Sequence, residues 1–291
     1  MPYAPLIDAE AIQEAGEYMR HYTRPFITPI ARSTADDDSL GESLGSGTFL
    51  RLRGKPYLLT NEHVACFMGH SRLSFFQAGG QHAAAIVNPF QALAYPVDAA
   101  LSRLEDDIFA AAGKQSVSTD SIDTMFGPAE GEVFFIHGFP GVQARWSALF
   151  GGIMARTFPY ATDLIPLPAG YDPERHFALS FPDDICKSDG QPMIRPNPRG
   201  LSGSVVWDTK YVAAGTNLWA PTDARVCGLL FAYDEAHKCF IATRIEAVRT
   251  FLLHALRHEA AYFRWLNDRQ GSLWEPLPDW VWAEGTIRIL E

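Results

Sequence analysis

The stretch NPRGLSGSVVWD, residues 197–208, sets Ser202 between Leu201 and Gly203, with Gly200 two positions earlier and an apolar, strand-type run behind it. Glycines on both sides of the serine leave the backbone N–H groups of the turn uncovered. A serine hydroxyl is a weak nucleophile at neutral pH. It needs a base within hydrogen-bond reach, a third group that orients the base, and donors for the oxyanion. The segment itself offers donors, the N–H groups of Gly200 and Ser202. A tight turn ahead of a strand would explain the same residues without any chemistry, so the rest of the chain has to decide.

Two upstream segments offer the missing groups. His63, in YLLTNEHVA (57–65), follows an apolar strand and a small polar turn. Asp98, in YPVDAALSRLE (95–105), is a carboxylate among apolar residues at the start of a strand. Burying such a group is costly without a partner, and a histidine N–H is a suitable one. Taken singly, the histidine reads as a packed or surface side chain and the aspartate as a turn cap.

The texture around these segments is β-rich. GTFLRLRG and KPYLLTNEHVA read as a strand pair turning at Gly54-Lys55, and further strands are expected at 72–76, 83–87, 98–104, 132–137, 147–156, 176–181, 203–207, 226–233 and 238–243. Many short strands at this spacing indicate barrels or a sandwich, not alternating β and α units. Residues 33–47 are polar and turn-rich and read as a loop, as does most of the proline-bearing stretch 157–200. A helix is expected over 8–22, capped by Asp8, with Ile12, Ala15, Met19 and Tyr22 on one face. A second begins near 244, with Thr243 and Glu246 at capping-box spacing and Ile245, Val248, Phe251, Leu252, Ala255 and Leu256 as its apolar stripe. The Trp- and Pro-rich end is expected to pack back on the body.

Bulk properties narrow the function. The 291 residues carry a formal net charge of −10, with 47% hydrophobic and 20% charged residues, an ordinary globular balance. No stretch concentrates Lys and Arg, which argues against a nucleic-acid partner. No basic start followed by an apolar core marks a secretory signal, and no apolar run reaches the roughly 20 residues that span a bilayer. Cys66, Cys186, Cys227 and Cys239 form no C-x-x-C pair and read as buried thiols of a reducing, cytoplasmic compartment, although Cys227 and Cys239 could face each other across a hairpin. No phosphate loop or metal-ligand cluster stands out, so no cofactor and no metal are expected.

Taken together, T-N-x-H-V, then D-x-A-L, then G-x-S-G-S, in that order, resembles the trypsin/chymotrypsin-like serine peptidases of the PA clan. The bacterial branch related to the high-temperature-requirement proteases is the nearest in pattern. GSGTFL (45–50) is similar to the family's opening strand, GEVFFIHGFPG (131–141) to its G-x-x-V-x-x-x-G-x-P segment, VCGLLFAY (226–233) to its pocket-lining strand, and IATRIEAVRTFL (241–252) to its last strand and C-terminal helix. The resemblance covers residues 45–257. It implies a mostly β fold of two antiparallel barrels of the six-stranded type, with a helix at each end. Residues 1–44 would form an N-terminal helix and loop, 45–257 the peptidase domain, and 258–291 the helix end and Trp-rich tail. It implies Ser202 as nucleophile, His63 as base, Asp98 as orienting acid, and the amides of Gly200 and Ser202 as oxyanion donors. It also implies a peptide or protein substrate, a possible regulatory protein partner, and neither nucleic acid nor membrane.

Departures from the pattern add detail. Leu201 stands where secreted digestive members carry the acid that pairs with a freshly cut N-terminus, so that activation route is absent. Cys66 lies near His63 without an upstream partner for the family's disulfide, and Glu62 is bulkier than is usual beside the histidine. The pocket positions are read as Pro196, Tyr233 and Cys239, a shallow apolar cleft suited to small or medium apolar residues before the cut. An enzyme free in the cytoplasm needs restraint, for which a misformed oxyanion hole or a blocking loop from 157–200 is one device. Two other readings stay open: a catalytically silent binding module on the same fold, and an α/β-hydrolase esterase with VFFIHGFPG as its strand and oxyanion loop. The second lacks the final glycine of G-x-S-x-G, where Ser204 stands.

Overall fold

The computed structural model describes residues 9–34, 37–69, 72–76, 83–141, 145–147, 152–186, 191–215, 218–268, 281–282, 285–286 and 288–290. Helix α1 (Ala9–Thr23) leads into strands β1 (Ile27–Thr34), β2 (Asp37–Leu52), β3 (Lys55–Thr60), β4 (Leu73–Phe76), β5 (Ala83–Ala85), β6 (Phe90–Leu93), β7 (Ala99–Arg103) and β8 (Val117–Ser118), with short helices α2 (Glu62–Ala65) and α3 (Asp106–Ala111) between them. The second half holds β9 (Phe134–Gly138), β10 (Arg145–Ser147), β11 (Gly152–Met154), β12 (Phe158–Thr162), β13 (Leu164–Ile165), β14 (His176–Ser180), β15 (Asp184–Cys186), β16 (Pro192–Ile194), β17 (Val205–Asp208), α4 (Tyr211–Ala214), β18 (Arg225–Asp234) and β19 (Cys239–Arg244). Helix α5 (Ile245–Asp268) and strands β20 (Val281–Trp282), β21 (Gly285–Thr286) and β22 (Arg288–Leu290) follow.

Two curled sheets carry the molecule. The first runs β22-β6-β7-β3-β2-β1-β4-β5 with β8 beside β2, and the second runs β12-β9-β17-β18-β19-β14-β13. Every pair is antiparallel except β2 with β8. This is the two-barrel trypsin-like fold. An α/β-hydrolase, which needs alternating strands and helices, is excluded by it.

The hydrophobic pattern explains the layers. Phe49, Phe75, Phe90 and Phe109 fill the first barrel, and Phe134, Phe177, Phe181 and Phe240 fill the second. A third cluster joins the halves: Leu50, Leu59 and Leu101 from the first sheet meet Val205, Trp207 and Leu229 from the second. Both long helices close over it. Met19 of α1 and Val248, Phe251 and Leu252 of α5 are buried there, as the helical spacing requires. Ala15 is buried too, and Ile12 and Tyr22 are half-buried on the same face.

Several local expectations change. The β2–β3 turn falls at Arg53-Gly54, one residue earlier than read, with φ of 49° and 77°, the left-handed pair that a two-residue hairpin requires. The polar stretch 37–47 is not a loop but the first part of β2, paired with β1, which the sequence did not announce. Residues 158–165 and 184–194 likewise hold short strands; Pro159 is tolerated because β12 is a sheet edge. Thr243 does not cap α5: it lies in β19 and its hydroxyl donates to the Val97 carbonyl (2.9 Å), while Glu246 accepts the Phe126 N–H (2.8 Å). Asp8 and Cys186 lie outside the described side chains. Cys227 and Cys239 are buried but sit at opposite ends of β18–β19, and Cys66 is an exposed thiol, not a buried one.

Candidate active site

Strand β3 ends at Thr60, and Asn61, α2 and β7 then bring an imidazole and a carboxylate together. His63 Nδ1 lies 2.6 Å from Asp98 Oδ2, and the His63 backbone N–H donates to Asp98 Oδ1 at 3.1 Å. Asp98 is buried, whereas the His63 side chain is about half exposed. A carboxylate can only accept, so Nδ1 carries the proton and Nε2 presents its lone pair outward. Burial works against charge on His63, but the bond to Asp98 and the charges of Asp98 and Glu62 outweigh it and raise its pKa above the usual imidazole value.

The loop that carries Asp98 is fastened from both halves of the molecule. Asn61 Nδ2 donates to the Asp98 carbonyl (2.6 Å) from the first sheet. From the second, Thr243 holds the Val97 carbonyl and His176 Nε2 holds that of Pro96 (2.7 Å). Asp98 itself sits at φ 47°, left-handed backbone that Asp adopts more readily than most residues. His176 thus anchors the chain two residues from Asp98.

The turn before β17 brings Ser202 to the same seam. Its carbonyl accepts the Ser46 N–H from β2 (2.8 Å), and the Gly203 N–H donates to Leu230 in β18 (3.0 Å). Gly45 is wedged between the turn and α2: a Cβ there would lie 2.7 Å from a Val64 methyl and 3.0 Å from the Ser202 carbonyl oxygen. Val64 adjoins His63, so the serine turn and the His63–Asp98 pair are neighbours. The Ser202 hydroxyl donates to the Phe231 carbonyl at 3.4 Å, and no hydrogen bond to His63 is made. Such bonds are often long before substrate arrives and tighten in the complex. Among the described residues, the N–H groups of Gly200 and Ser202 have no acceptor.

Gly203 has no alternative. At φ 91°, a Cβ would fall 2.0 Å from the Ser46 carbonyl oxygen and 2.4 Å from Thr60 Oγ1. Gly203→Ala is expected to lose about 3–5 kcal/mol of stability from strain and overpacking combined, read as a lowered urea midpoint.

A cavity of about 650 Å³ opens beside Ser202, with Pro196, Arg195, Phe231, Tyr233 and Phe240 in its wall. Cys239 does not line it; it is buried with Ala178, Phe231 and Ile241 instead. A bulge between Leu230 and Ala232 sets Tyr233 opposite Phe240, so that residue takes the place read for Cys239. Arg195 lies over the rings of Phe181 and Tyr233, at 5.3 and 5.0 Å, and pairs with Asp183 at 2.9 Å. Its role went unread because nothing in the sequence marks an arginine that stacks. Asn61 and Ser46 lie inside motifs that were read, yet no role was drawn for either. Among the described residues, no three His, Cys, Asp or Glu converge as a metal site, and no helix is long and apolar enough to cross a membrane.

No family model and no curated protein matches the sequence. Solved structures match by fold. The serine endoprotease of Yersinia pestis superposes with a TM-score of 0.51 at 13% identity, over 83% of this chain and 66% of its own. The serine protease domain of the Sesbania mosaic virus polyprotein gives 0.43 at 14%, over 78% and 92%. A thermostable serine protease from an extremophilic microorganism gives 0.46 at 11%, over 78% and 94%. At these identities the likeness is one of fold, that of trypsin-like serine proteases.

Proposed function

We propose that this chain is a serine endopeptidase in which Ser202 attacks, His63 moves the proton and Asp98 orients the imidazole. The Ser202 oxygen adds to the scissile carbonyl carbon while its proton passes to His63 Nε2. The amides of Gly200 and Ser202 receive the developing oxyanion. Collapse returns the proton to the leaving amine and leaves an acyl-enzyme, which water clears by the same sequence. The observation that carries this reading is the 2.6 Å His63–Asp98 pair beside a glycine-flanked serine whose turn holds two amides without an acceptor among the described residues. A fluorophosphonate probe tests it: mass spectrometry should map one adduct, on Ser202. Labelling elsewhere, or none with candidate partners added, would overturn it.

The pocket supports a preference for small or medium apolar residues before the cut. Tyr233 and Phe240 narrow it, and the carboxylate in its wall, Glu235, is already paired with Lys238 at 2.6 Å and with Arg195 at 3.7 Å. A fluorogenic peptide panel should rank Ala, Val and Leu at least about tenfold above Arg, a difference of about 1.4 kcal/mol in transition-state binding. The reverse order would remove this assignment. One observation favours a silent binding module instead: the Ser202 hydroxyl rests on Phe231 and not on His63.

A further inference from the structure

We propose that Ser46 is a positioning residue for the oxyanion-binding turn, an inference that rests on Ser202 being the nucleophile. Gly200 is required where it stands: at φ 95°, a Cβ would meet the Gly141 nitrogen at 2.4 Å and the Phe139 carbonyl oxygen at 2.7 Å. Glycine is also the residue that least resists rotation of the peptide planes on either side of it. The direction of the Gly200 N–H must therefore be set by bonds to its neighbours.

Two clasps set it. The Gly141 N–H donates to the Arg199 carbonyl at 2.7 Å and fixes the plane before Gly200. In a trans peptide the N–H points opposite to that carbonyl, so the Gly200 N–H faces away from the 139–141 segment. The Ser46 hydroxyl donates to the Gly200 carbonyl at 2.8 Å and fixes the plane after it, with Leu201 N–H on Pro198 (3.0 Å) at the other side of that plane. The same hydroxyl accepts the Phe139 N–H at 2.9 Å, so one buried side chain ties the turn to the strand end that carries the first clasp. A hydroxyl has one proton and two lone pairs, and these bonds use the proton and one lone pair. The backbone of Ser46 is committed as well, its N–H to Ser202 and its carbonyl to the Thr60 hydroxyl at 2.8 Å. Ser46 thus touches both residues whose amides face the oxyanion.

The test uses Ser46→Ala and Ser46→Cys, the second keeping the shape while replacing the strong donor by a weak one. Both should lower kcat about tenfold to hundredfold, less than the loss of a donor itself, with KM within about twofold. A peptide aldehyde, whose hemiacetal oxygen occupies the same place, should weaken by the factor by which kcat falls. Rates are referred to folded protein by a melting curve on each variant. A purely structural Ser46 would lower Tm and leave kcat and aldehyde affinity per folded molecule unchanged, which overturns the inference. If wild type labels and Ser46→Ala matches it in kcat, this inference alone fails. If wild type neither labels nor cleaves, the assignment of Ser202 fails and takes this one with it.

Discussion

Ser202→Ala should lower kcat by about 10⁶-fold, the scale found when a triad nucleophile is removed from an unrelated peptidase fold. The change deletes one exposed-side oxygen whose only described bond is a 3.4 Å contact with Phe231, so the fold should not notice it. The turn is held by the Ser202 carbonyl and the Gly203 N–H, which alanine keeps. Melting within about 0.5 kcal/mol of wild type, as for substitutions away from critical contacts, would therefore accompany the loss of activity. Residual hydrolysis above water should survive, because binding and the amides of Gly200 and residue 202 remain. A variant with undiminished kcat would show that the nucleophile lies elsewhere.

Asp98→Asn should cost about 10⁴ in turnover, for a different reason. An amide nitrogen facing His63 Nδ1 would favour the tautomer with its proton on Nε2, where the base is needed. The substitution is informative because asparagine, like aspartate, accepts left-handed backbone, so the φ of 47° adds no strain that would confound the result. Alanine would add such strain. The pH dependence follows from the same pair. Asp98 raises the His63 pKa, and in the proposed mechanism the neutral imidazole is the base, so activity should fall as pH drops through a value above the ordinary imidazole one. In Asp98→Asn that acid limb should move to lower pH. A limb that does not move would mean that the carboxylate does not govern the base.

What the sequence disclosed and what it hid have physical causes. The meeting of His63 with Asp98 and the glycine turn under Ser202 were legible because each needs a particular residue type at a particular junction: after a strand, before a strand, on a tight turn. The stripe of α5 was legible because a 3.6-residue period survives any context. The first part of β2 was not, since its Asp, Ser and Gly residues are held by backbone pairing with β1, which leaves no trace in residue type. Thr243 and Glu246 had the right spacing for a cap, but each found a partner far away in sequence, Val97 and Phe126. The exchange of Cys239 for Phe240 in the pocket turned on a single bulge in β18, and an inserted residue reverses which side chains face a cleft.

The segment 94–98 has a consequence at the scale of the whole molecule. Its carbonyls are anchored to Asn61 on one barrel and to Thr243 and His176 on the other. A small slide of one barrel over its companion would draw the carboxylate off the imidazole long before either sheet came apart. If the proposed function holds, reactivity in such an arrangement would report the alignment of the two halves.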